Sequence, residues 1–309
     1  MLKPKALKFG DTIGIVAPSS PTTKKNVKLA KQQLQDLGFN VKLSASCFAT
    51  HGYLAGKDQL RAEELNKMFA DKEIDGIICL RGGYGAPKIL NKVDFEIIKA
   101  NPKVFVGYSD ITVLHMAMNQ ICNLVSFHGP MGSSDIAHGL DDFSKKEFLR
   151  SIMDTKEMGV ISNPIDHKVQ CLVGGKARGV IIGGNLSLIA ATMGTPYEID
   201  TRGKILFLEE IGEEPYSVDR MLTQLALGGK LDDAAGFILG DWKECDPESP
   251  EESLSLMEVF NEIIIPYGKP TIFDLKAGHC TPKVTLPFGV KAFLDGDEGR
   301  LIIEEGATV

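Results

Sequence analysis

Up to Pro130 the chain alternates short apolar runs with amphipathic stretches. "TIGIVAPS" is a compact β-rich run halted by Pro18 and Ser19. The next segment, "TTKKNVKLAKQQLQDLGF", sets Val27, Leu29, Leu34 and Leu37 at roughly helical spacing and closes at Gly38, which predicts a helix. "NVKLSA" predicts a strand, and "GKDQLRAEELNKMFADKEI" a polar helix with Leu60, Leu65 and Phe69 on one stripe. "DGIICL" predicts a buried strand, followed by the glycine-rich "RGGYGAPKIL" and a further helix. "KVFVGY" then predicts a strand, "DITVLHMAMNQI" a helix, and "NLVSFHGP" a strand running into a loop. Such alternation implies an α/β, Rossmann-like domain of parallel strands with crossover helices on both faces. Ligands in these sheets bind beyond the carboxyl ends of the strands. The turns there are "APSSP", "RGGYG", "YSD" and "HGPMG".

Around residues 133–170 the pattern weakens. "SSDIAHGLDDFSKKEFLRSIMDT" predicts helix and "GVISNPIDHKVQ" a connector. "ARGVIIGGNLSLIAATMGTPYEID" then holds a strand, a glycine pair and a helix. "KILFLEEIGEEPYSVDRMLTQLALGG" reads as strand, acidic loop and helix, "AGFILGDW" as a strand, and "PFGVKAFLDGDEGRLIIEE" as a hairpin-like pair. The expected organisation is an N-terminal α/β domain over 1–150, a linker over 151–170 and a smaller mixed α/β domain over 171–309.

Composition narrows the function classes. Of the 309 residues, 43% are hydrophobic and 24% charged, ordinary values for a globular protein. A net charge of −7 without a Lys/Arg cluster argues against nucleic-acid binding. No apolar run approaches the roughly 18–20 residues of a membrane span, and the N-terminus leads directly into a strand rather than a signal segment. Cys47, Cys79, Cys122, Cys171, Cys245 and Cys280 lack CxxC spacing and sit partly in apolar strings. They suit a reducing cytoplasm better than a disulfide framework or a metal site.

Neither "RGGYG" nor "GGKARG" carries dinucleotide-fold or P-loop spacing, so a nucleotide cofactor has little support. The glycines serve a turn, or they bare backbone N–H groups toward a developing oxyanion. Ser109, in "FVGYSDITVL", stands between an apolar strand and a helix, as an N-cap or as a nucleophile raised on a turn. "GYSDI" lacks the second glycine of the G-x-S-x-G elbow. In "KILFLEE" strand alternation puts Glu209 on the face of Ile205 and Phe207 and Glu210 on the face of Leu206 and Leu208. A carboxylate buried there needs a partner. Glu213 and Glu214 read as an exposed acidic loop. His115 falls on an apolar helical stripe, His51, His138 and His167 in polar surroundings, and His128 at a sheet end. His279 follows a glycine in a late loop, and its neighbour Cys280 points to the opposite face. The order Ser…Glu…His is one in which catalytic triads occur, though triads recur in several orders.

The segments "GIVAPSSP", "LRGGYGAPKIL", "GYSDITVLH", "HGPM", "GGNLSLIAATMGTPYEID", "ILFLEEIGEEPYSVDRMLTQL", "GFILGDW" and "AGHCTPKVTLPFG" together resemble the LD-carboxypeptidases (muramoyltetrapeptide carboxypeptidases), to which the microcin-immunity peptidases are related. The resemblance spans nearly the whole chain in order. It implies a cytoplasmic serine peptidase, acting without metal or other cofactor, that removes terminal D-alanine from murein tetrapeptides during cell-wall recycling, and it suggests a homodimer. It assigns the nucleophile to Ser109, the carboxylate to Glu209 with Glu210 as the alternative, and the base to His279. The implied oxyanion donors are the N–H groups of Gly83 and Asp110, and Arg81 and Tyr84 line the substrate mouth. With the serine in the first domain and its partners in the second, the site is expected between domains. Three alternatives remain: a microcin-immunity activity on peptidyl-nucleotide mimics, a non-enzymatic cleft-binding protein, and another peptide specificity. The single tryptophan, Trp242, is expected outside any aromatic platform for a nucleobase.

Overall fold

The computed structural model describes residues Met1–Val309 and resolves into two compact units. One comprises Met1–Lys156 with Thr285–Gly289 and Gly306–Val309, the other Glu157–Val284 with Val290–Glu305. In the first, strands β1 (Thr12–Val16), β2 (Asn40–Leu43), β3 (Gly76–Cys79), β4 (Val104–Gly107) and β5 (Ser126–His128) alternate with helices α1 (Lys24–Asp36), α2 (Asp58–Ala70), α3 (Phe95–Ala100), α4 (Thr112–Ile121) and α5 (Asp142–Met153). All five strands pair in parallel, as the alternation predicts. β3 and β4 are buried throughout, which is why they read as unbroken apolar runs. Thr23 caps α1 by accepting from the Asn26 N–H, and Asp141 caps α5 by accepting from Ser144; each satisfies an orphan helix donor.

The second unit is built on β6 (Gly159–Ile161), β7 (Gln170–Val173), β8 (Lys176–Asn185), β9 (Ile205–Ile211), β10 (Gly236–Lys243) and β11 (Thr271–Phe273), with α6 (Leu186–Ala191), α7 (Pro215–Leu227), α8 (Lys230–Asp233) and α9 (Leu256–Ile263). The chain then gives β12 (Leu286–Phe288) to the first unit and returns with the hairpin β13 (Lys291–Asp295) and β14 (Arg300–Ile303). The first sheet therefore runs β12-β5-β4-β3-β1-β2, and the second is eight-stranded, β6-β14-β13-β8-β9-β10-β11-β7. β8, β9, β10 and β11 are its parallel centre.

Three features differ from the sequence expectation. The sixth strand of the first sheet, β12, lies antiparallel to β5, although it adjoins the hairpin in the chain. Phe288 is fully buried there, edge-on to the His115 ring at 5.7 Å, and this distant packing outweighs proximity in sequence. Within the expected connector, Gly159–Ile161 forms an edge strand on β14 because Ile161 finds a buried position. The polar helix α2 buries Arg61 completely and Glu64 nearly so, beside Leu65 and Phe69. No helix is long and apolar enough to cross a membrane.

Candidate active site

At the carboxyl end of β4 the chain makes a sharp turn into α4. Ser109 sits in that turn with φ 63°, a left-handed conformation that side chains other than glycine rarely adopt. Neither the short turn Ser109–Ile111 nor α4 has a side-chain cap, and the residues at the two cap positions are Tyr108 and Ile111 rather than Ser109. Strain of this kind is held only where the surroundings over-determine it. Part of that constraint is Gly82: a Cβ there would lie 2.9 Å from both Cβ and Oγ of Ser109. Gly82 of "RGGYG" thus lets backbone approach the serine closely, whereas a Cβ at Gly83 would meet Ser20 instead.

The Gly82 carbonyl accepts from the Ser20 N–H at 3.2 Å. In a trans peptide the following N–H points the opposite way, so this bond sets the direction of the Gly83 N–H. Tyr84, 48% exposed, meets Tyr53 at 5.8 Å between ring centroids, and its own N–H donates to Ser20 Oγ at 3.1 Å. Arg81 is half-buried and donates to the Pro21 carbonyl at 3.2 Å. The Asp110 carboxylate is fully buried; its Oδ2 accepts from Ser19 Oγ at 2.5 Å and from the Ala86 N–H at 2.7 Å. Burial raises its pKa, against the opposing pull of these two donors and of Arg61. The sequence singled out only the backbone of Asp110; its side chain joins the turns that follow β1, β3 and β4.

In the second unit Glu209 is completely buried on β9, and its Oε2 accepts from His279 Nδ1 at 2.6 Å. A carboxylate can only accept, so the ring proton lies on Nδ1 and the neutral imidazole presents a basic Nε2. Gly278, with φ 120°, precedes the histidine, and a Cβ there would stand 2.6 Å from Glu209 Oε2. The neighbouring Glu210 is also buried but turned elsewhere. It accepts from Asn185 Nδ2 at 2.6 Å, Ser187 N–H at 2.7 Å and Ile211 N–H at 2.9 Å, with burial raising its pKa. These bonds tie β9 to the end of β8 and the start of α6, so the two adjacent carboxylates are distinct in partner. Burial pushes the Cys280 thiol up to about 12, which makes it a poor thiolate source at neutral pH.

Other sequence candidates are placed plainly. His115 is buried, with Nε2 at 2.8 Å from the Gly107 carbonyl and Nδ1 at 2.9 Å from Ser126 Oγ. His51, His138 and His167 are exposed. Trp242 packs edge-on against Phe260 at 4.9 Å between ring centroids. Ser19 carried no sequence signal beyond its place in "APSSP", and Arg61, inside the polar helix α2, carried none.

Known proteins match both halves of the chain. Residues 13–129 match the LD-carboxypeptidase N-terminal domain and residues 178–294 the LD-carboxypeptidase C-terminal domain. A probable murein peptide carboxypeptidase of Bacillus subtilis is 46% identical, over 99% of this chain and 95% of its own. The structure of MccF in complex with glutamyl sulfamoyl guanosine superposes with a TM-score of 0.91 at 26% identity, covering all of both chains. The muramoyltetrapeptide carboxypeptidase from Oxalobacter formigenes gives a TM-score of 0.84 at 30% identity, over 96% of this chain and 98% of that one. Matched by both domains of this family and, over nearly its whole length, by the Bacillus relative, the chain belongs to the LD-carboxypeptidase family and is a serine-type carboxypeptidase.

Proposed function

We propose that this carboxypeptidase removes the terminal D-alanine from murein tetrapeptides in the cytoplasm, through a Ser109–His279–Glu209 triad and an acyl-enzyme. The observation that carries the mechanism is the 2.6 Å bond from His279 Nδ1 to the buried Glu209 carboxylate. It fixes the tautomer in which Nε2 accepts a proton and stabilises the imidazolium that forms. A serine hydroxyl is a weak nucleophile until a base takes its proton, so the mechanism requires the imidazole to reach hydrogen-bonding distance of Ser109 in the working complex. Ser109 Oγ then attacks the carbonyl before D-alanine as its proton passes to Nε2. The tetrahedral oxyanion takes hydrogen bonds from the Gly83 and Asp110 N–H groups, each such donor being worth about 3 kcal/mol in a transition state. The C–N bond breaks, Nε2 returns the proton to the departing amine, and water attacks the acyl-enzyme by the same route in reverse. Arg81 and Tyr84 line the substrate mouth in this reading. The names of the Bacillus and Oxalobacter relatives support murein peptide as the substrate.

A second reading is supported by the MccF structure bound to glutamyl sulfamoyl guanosine: cleavage of an aminoacyl sulfamoyl nucleoside by the same residues. Incubating the protein with a stem tetrapeptide and, separately, with such a nucleoside, and weighing the products, separates the two. Loss of one alanine from the tetrapeptide supports the first reading. Cleavage of the nucleoside alone replaces it with the second, and an inert protein returns the cleft-binding alternative.

A further inference from the structure

We propose that Arg61 is a positioning residue for the reaction: its guanidinium, together with the Asp110 carboxylate, locks the turn carrying Gly82 and Gly83 against the serine turn before substrate arrives. The inference rests on the reading of Gly83 and Asp110 as oxyanion donors. Arg61 projects from α2 and is completely buried, an expensive place for a cation unless its donors are satisfied. They are satisfied by backbone belonging to several turns. Nη1 donates to the Gly85 carbonyl at 2.7 Å and also to the Pro18 carbonyl, and Nε donates to the Gly56 carbonyl at 3.3 Å. Nη2 pairs with Asp58 at 2.5 Å. The planar fork of arginine serves such divergent acceptors, whereas a lysine ammonium is a single point charge.

The Asp110 carboxylate makes a second set of ties one residue along each turn. Arg61 holds Pro18 while Asp110 holds Ser19, and Arg61 holds Gly85 while Asp110 holds Ala86. Between those paired anchors lie Ser20, whose N–H fixes the Gly82 carbonyl, and the turn Gly82–Tyr84 itself. The arrangement places no Arg61 atom in the role of substrate ligand. It sets the direction of an N–H group, and donors fixed in advance are worth more because they need no reorganisation during reaction.

The test compares full-length wild type with Arg61→Lys, Asp110→Ala, Asp110→Asn and Ser19→Ala. Four readouts are used: kcat and KM on the stem tetrapeptide, affinity for a peptide boronic acid that mimics the tetrahedral intermediate, melting temperature, and amide exchange over residues 81–86. Arg61→Lys is expected to lower kcat about 10- to 100-fold, less than outright removal of a donor, with KM little changed. Boronate affinity should weaken by a similar factor, and exchange over 81–86 should quicken while that of β9 and β10 does not. Asp110→Ala removes the acceptor of Ser19 and Ala86 and should lower kcat as Arg61→Lys does, while Asp110→Asn, which keeps an oxygen for both donors, should fall between Asp110→Ala and wild type. A folded Arg61→Lys protein with wild-type boronate affinity and unchanged exchange over 81–86 overturns the proposal. Should Arg61→Lys fail to fold, Ser19→Ala decides: it should shift kcat and exchange in the same directions by less, and no shift overturns the proposal. If wild type releases no D-alanine, the proposed function fails instead, and the exchange measurement still judges whether Arg61 holds the turn.

Discussion

Glu209 and Glu210 are one residue apart, and the alternation of a strand gives them different neighbours. Glu209 meets His279, while Glu210 receives three donors from Asn185, Ser187 and Ile211. Substitution by glutamine separates their work. Glu209→Gln leaves an oxygen to accept from Nδ1 but removes the charge that balances the imidazolium, so kcat/KM should fall by about 10²–10⁴ with stability nearly kept. Glu210→Gln sets an amide N–H₂ group against existing donors and should cost about 1–3 kcal/mol in chemical denaturation with a smaller kinetic effect. Kinetic loss concentrated in Glu210→Gln would reverse the assignment. Glu209 was legible in the sequence because a carboxylate ending an apolar strand demands a partner. Arg61 was not: on a helix rich in charge it looked like one more solvated residue, and only the folded turns reveal what its donors reach.

At the scale of elements, the strand–turn–helix around Ser109 could be read from "KVFVGYSDITVLHMAMNQI", since a buried strand and an apolar helical stripe flank the serine. The glycine contacts could not, because they depend on what lies across the fold. Gly278→Ala should drive a methyl into Glu209 Oε2, 2.6 Å from the ideal Cβ, and displace the carboxylate or the histidine loop. A loss of about 10-fold or more in kcat/KM follows from misalignment of this size; wild-type kinetics would show that the loop relaxes freely. The junction of α4, β5 and β12 carries a pH dependence of its own. Burial lowers the His115 pKa from 6.5 to about 4, and its neutral ring donates from Nε2 to Gly107 while Nδ1 accepts from Ser126. In the unfolded chain His115 takes up a proton near pH 6.5, which the native state resists, so its stabilising contribution is complete above that value and is lost as pH falls toward 4. Linkage puts the loss at roughly 2 kcal/mol by pH 5 and about 3 kcal/mol by pH 4. Denaturation of wild type and His115→Gln between pH 7 and 4.5 should show this component in wild type alone; parallel curves would contradict it.

Across the whole molecule, the alternating first half and the mixed second half were legible as two α/β bodies because local periodicity carries that information. The excursion of β12 into the first sheet was not, since three residues of strand are decided by where Phe288 can be buried. Function at this scale turns on whether the chain releases D-alanine with Ser109 as its nucleophile. Mass measurement of a stem tetrapeptide incubated with wild type and with Ser109→Ala tests that most directly. The account predicts release of a single D-alanine by wild type and none by a Ser109→Ala protein of unchanged melting temperature. Undiminished D-alanine release by Ser109→Ala would contradict it.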